Sequence, residues 1–93
     1  MLFMNTWEIE GAVLRYKNHP VLSKATRYLQ RWEAVVNANS DGWAYWSGGP
    51  NAAKQLMLLI QNPDTATEAA LKKALGPIKA TCTRKKLPCP AFD

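Results

Sequence analysis

Apolar side chains recur at helical spacing along most of the chain. The clearest stretch follows Pro20: Val21, Leu22, Ala25, Tyr28, Leu29, Trp32, Val35 and Val36 form one stripe, which predicts a helix from Pro20 to about Asn37. Proline suits the first helical position because the amide hydrogen it lacks would have no partner there. Lys24, Arg27 and Arg31 make a separate basic stripe on the same helix. Upstream, residues 5–17 read as another helix. Asn5 with Glu8 has the spacing of a capping box. Trp7, Gly11 and Leu14 share one side of it, and Ile9, Val13 and Tyr16 share a neighbouring one. Trp7 to Glu10 also alternates like a strand, but the alternation fails from Gly11 to Leu14.

Pro50 opens a third predicted helix, to about Gln61. Its Ala52, Ala53, Leu56, Met57, Leu58, Leu59 and Ile60 cover most of the circumference, as in a central, buried helix. Asn62-Pro63-Asp64 ends it. Thr65 with Glu68 then reads as a capping box for a fourth helix, from Ala66 to Leu75. Gly76-Pro77 reads as its stop or kink, with a short fifth helix over residues 78–84 as an option. Pro88 and Pro90 predict an extended, basic tail over residues 85–93. The expected fold is all-α: one domain, residues 1–93, built as a compact bundle of four helices, or five with the short one.

The stretch from Ser40 to Pro50 interrupts this pattern. Helix connections usually span about two to eight residues. This one is longer and carries Trp43, Tyr45 and Trp46 among glycines. Aromatic area of that size is either buried or bound to something. As a plug, Trp43 and Trp46 would fold back onto the end of the helical core. As a platform, the rings would stack on nucleobases, sugars or a partner's side chains. Spacing favours the plug, because a helical turn would aim Trp43 and Trp46 to one side.

Composition adds a charge asymmetry. The chain has 93 residues, 47% of them hydrophobic, and a net charge of +5. Lys72, Lys73, Lys79, Arg84, Lys85 and Lys86 lie in a stretch without an acid, and the rest of the chain is close to neutral. Acidic partners, nucleic acid among them, fit such an excess; so does a plain solvated face. No apolar run approaches the roughly 20 residues of a membrane helix, so no membrane partner is expected. Met1 to Met4 does not read as a secretory signal, and a cytoplasmic location is expected. Cys82 and Cys89 do not have zinc-ligand spacing and are expected as reduced thiols, with a local disulfide around Pro88 as the alternative.

Motifs of chemistry are weak. Gly48 to Gln55 echoes a phosphate loop but has Ala53 and Gln55 where glycine and Ser/Thr are needed. The third and fourth helices resemble a helix-turn-helix, with Thr65, Thr67, Glu68 and Lys72 towards base edges, although a plain helical hairpin explains them as well. His19, before a proline, reads as a helix cap or surface residue. Asp41 lacks the second carboxylate of a glycosidase and suits a turn with Gly42.

No catalytic residue, metal site or cofactor is assigned. The reading is a small, non-enzymatic accessory or regulatory binding protein. Its first form binds nucleic acid by charge through Lys24, Arg27, Arg31, Lys72, Lys73, Arg84, Lys85 and Lys86. The alternatives are a protein-interaction module or homo-oligomer using exposed aromatic and apolar surface, and a small-molecule or carbohydrate binder at Trp43, Tyr45 and Trp46.

Overall fold

The computed structural model describes residues 4–38 and 52–87. They form four α-helices: α1 (Thr6–Arg15), α2 (Leu22–Ala38), α3 (Lys54–Gln61) and α4 (Glu68–Lys85), with a 3-10 turn at Pro63–Thr65 before α4. The expected all-α bundle is the fold observed. The Ser40–Pro50 loop, with Trp43, Tyr45, Trp46 and Asp41, lies outside the described residues, as does the tail from Pro88.

Helix α1 starts as its sequence predicts. The Asn5 side chain accepts a hydrogen bond from the Glu8 amide at 2.9 Å, and Glu8 Oε1 accepts one from the Asn5 amide at 3.2 Å. This reciprocal pair satisfies two backbone donors at once. Ile9 and Ala12 enter the core, and the Thr6 hydroxyl donates to Glu33 Oε2 across to α2 at 2.9 Å. Helix α2 is anchored by His19, whose Nδ1 accepts from the amides of Val21 and Leu22 at 3.1 and 3.0 Å. His19 is therefore the cap expected of it, and Pro20 needs no amide partner of its own. The apolar stripe of α2 is buried as a unit, with Trp32 only 1% exposed. Thr26, fully buried among these residues, donates its hydroxyl to the Leu22 carbonyl at 2.9 Å. That bond removes the cost of burying a bare hydroxyl.

Each helix packs on its neighbour in sequence: α1 on α2, α2 on α3, α3 on α4. The centre is shared by α2 and α3, and Leu56, Met57, Leu59 and Ile60 of α3 are buried.

Helix α4 departs from expectation twice. Its cap is Thr67, not Thr65: the Thr67 hydroxyl accepts from the Ala70 amide at 3.1 Å, while Thr65 donates to the Asn62 carbonyl at 2.8 Å within the preceding turn. The helix then runs through Gly76-Pro77 to Lys85 without a break, so residues 78–84 belong to α4 and not to a separate helix, and Lys85 is helical where an extended tail was expected to begin. An internal proline leaves the carbonyl four residues back without its helical donor and costs about 3 kcal/mol. Two features offset this. Leu71, Ala74, Leu75 and Ile78 bury one face of the helix on both sides of Pro77. Gly76 has no Cβ to meet the proline ring, removing the clash that usually excludes helix before proline. The space around a Cβ at Gly76 is otherwise open, so packing does not require the glycine.

The end of α4 reverses through Lys86, which is left-handed at φ 54°. The Leu87 amide donates to the Cys82 carbonyl at 3.0 Å, and the Lys86 amide to the Thr83 carbonyl at 3.4 Å. This is a Schellman turn with lysine where glycine is usual. Cys82 is disulfide-bonded, against the expectation of reduced thiols; Cys89 is the chain's other cysteine.

Candidate functional site

Helices α2 and α4 face each other across an open groove of about 430 Å³. Lys24 stands on the α2 side; Lys72 and Lys79 stand on the α4 side. Their placement follows from helical period: Lys72 and Lys79 are two turns apart on one face, and α4 can hold them in line because it continues through Pro77. Tyr28, one turn beyond Lys24, and Leu71 and Leu75 on α4 give the groove an apolar floor. All three leucine and tyrosine side chains are buried, whereas the three lysines are exposed.

Among the described residues, Glu68 is the one carboxylate lining the groove. Its Oε1 pairs with Lys24 Nζ at 3.4 Å, both side chains being more than half-exposed or close to it (59% and 50%). An exposed pair of this kind contributes about 0–1 kcal/mol. Three lysines and one carboxylate are thus the charged groups of the lining among the described residues. At the α2 edge the Arg31 guanidinium lies over the Tyr28 ring, 5.8 Å from its centroid. That stacking extends the cationic margin by a further turn of α2.

The structure divides the expected phosphate-contacting residues. Lys24 and Lys72 share the groove, with Arg31 joined to it through Tyr28. Lys73 lines a different hollow, between α3 and α4, with Gln55, Leu58 and Asn62. Adjacent residues on a helix point about 100° apart, and here Lys72 faces the α2–α4 groove while Lys73 faces the α3–α4 hollow. Arg27 is exposed on α2, and Arg84, Lys85 and Lys86 are exposed at the far end of α4; none of the four lines the groove. Sequence reasoning missed two members. Tyr28 was expected only as core, and Lys79 was counted in the charge excess but not among the contacts. Treating 66–85 as one helix would have placed Lys79 in line with Lys72.

Of the residues suited to a helix-turn-helix reading, Thr65 and Thr67 use their hydroxyls in the turn and the cap, and Glu68 pairs with Lys24. No group of three His, Cys, Asp or Glu residues is placed to hold a metal among the described residues, and none of the described helices is long and apolar enough to cross a membrane.

No protein-family model, curated protein or solved structure matches the chain.

Proposed function

We propose that this is a non-enzymatic binding protein that holds nucleic-acid phosphates in the α2–α4 groove. One observation carries the reading: among the described residues, Lys24, Lys72 and Lys79 come from two helices to line a single groove that holds one carboxylate. Cations fixed on opposite walls suit a polyanion running between them. The buried Tyr28 and its neighbours hold the walls apart at a set distance. Lys24, Lys72 and Lys79 make the phosphate contacts, and Arg31 guards the edge.

Three contacts predict a salt slope of roughly −3 in log K against log salt on duplex, and about −2 on single strands. Fluorescence anisotropy with labelled single-stranded and duplex DNA and RNA at low salt measures it. Lys72→Glu should weaken binding and lower the slope by about 1. Lys73→Glu, the same charge change on the other side of α4, should leave it within about twofold. Absence of binding to every probe at low salt sinks the proposal. So does an equal response to the two variants.

The compartment follows the redox state of Cys82, since disulfides persist in oxidising surroundings and a cytoplasmic protein keeps its thiols reduced. Thiol trapping at lysis, followed by mass measurement, distinguishes the two.

A further inference from the structure

The outer side of α1 points away from the core yet is apolar. Trp7 is 84% exposed and Leu14 is 71% exposed, the two large hydrophobic side chains in that state among the described residues. Gly11 stands between them, one turn from each. A Cβ built there meets nothing within 4 Å, so no contact among the described residues requires glycine. Glycine in a helix interior costs about 1 kcal/mol relative to alanine. Here the cost has no return in any contact among the described residues. What a bare position between two exposed apolar side chains does permit is close approach of another backbone.

The charges flanking this stripe specify the second backbone. Glu8 and Arg15 lie along one flank, with the acid in the first turn and the base in the last. Glu10 lies along the other flank, and the exposed Lys17 follows just past the end of the helix. The Glu8–Arg15 flank is thus complementary to itself when reversed. An antiparallel copy of α1 crossing at Gly11 sets Glu8 beside Arg15 of the second copy on one flank. Trp7 then covers Leu14 of the second copy. At the same time Trp7 of the second copy falls at Arg15, on the rim of a hollow of about 370 Å³ bounded by Met4, Tyr16 and Ile60.

We infer that the outer face of α1 is a self-association surface, on which a second copy of this chain packs antiparallel about a two-fold axis at Gly11. This is an isologous contact: the same patch serves both copies. It is independent of the α2–α4 groove. Two helices about 15 Å long cover less than the roughly 1,200 Å² of a standard interface, so the dimer is weak, with Kd about 10–100 µM. The exposed charge pairs fix direction more than affinity.

Sedimentation equilibrium of the full chain from about 10 µM to 1 mM tests this range. The expected result is a monomer–dimer equilibrium. Gly11→Leu should raise Kd at least tenfold, because the new side chain stands where the second backbone passes. The same variant should raise the Tm of the dilute monomer by about 3–6 °C, through helix propensity in open space. That second readout separates a lost interface from a lost fold. Trp7→Ala should also weaken the dimer, and Lys72→Glu should leave it unchanged. A monomer mass at every concentration overturns the inference. So does a dimer indifferent to Gly11→Leu.

Discussion

The α2–α4 groove and the outer face of α1 expose surface for opposite reasons. In the groove, apolar residues are already buried and what reaches solvent is charge. On α1, charge sits at the margins and what reaches solvent is a tryptophan and a leucine. A cationic wall gains most from a diffuse polyanion and loses it as salt rises. An apolar stripe gains from removal of water and is little affected by salt. The two surfaces therefore differ in how they answer ionic strength, even though both lie on helices held by one core.

The largest effect expected is in that contrast. Between about 50 and 200 mM salt, three phosphate contacts should lose roughly 40-fold in affinity. Over the same range the α1 dimer should change by less than about twofold, its exposed pairs being weak. If both respond alike, measured side by side by anisotropy and sedimentation, the distinction between the surfaces is lost. A smaller effect tests whether the groove depends on the irregularity of α4. Pro77→Ala restores a missing donor and should stabilise the fold by about 1–3 kcal/mol in urea titrations. A loss of stability would mean that the core of α4 is shaped around the proline. The smallest effect lies furthest from both surfaces. Lys86→Gly relieves a left-handed lysine and should add about 0.5–1 kcal/mol while leaving DNA binding and self-association in place.

These outcomes also mark where the sequence is informative. Helix α1 was legible because its start rests on a local exchange between Asn5 and Glu8, and α2 because its stripe runs for several turns. The orientation of α1 was not legible. Its two apolar sides are alike in composition, and only packing decides that Ile9 turns inward while Trp7 turns outward. Helix α4 was misjudged at both ends. Thr65 and Thr67 are equally good caps by composition, and the turn after Asn62 selects the later one. Gly76-Pro77 has the composition of a stop, but burial of Leu75 and Ile78 on either side outweighs the missing hydrogen bond. The groove was half legible. Lys24 was placed on an exposed basic stripe, but its meeting with Lys72 and Lys79 depends on how α2 and α4 sit around α3. That is a tertiary fact which helical period alone does not carry.

The order of packing has a kinetic meaning. Because the main contacts are those of α1 with α2, α2 with α3 and α3 with α4, most of the helix packing closes between neighbours along the chain. Folding rates follow the mean separation of contacting residues, and helical proteins with local contacts fold in microseconds to milliseconds. The stretch between α2 and α3 is the longest excursion to be closed. Closure entropy grows only logarithmically, about 0.6 kcal/mol for each doubling of length. The topology can therefore accommodate insertions between α2 and α3 with little delay in assembly. A comparable insertion between α3 and α4 would separate two helices whose connection is now a single 3-10 turn.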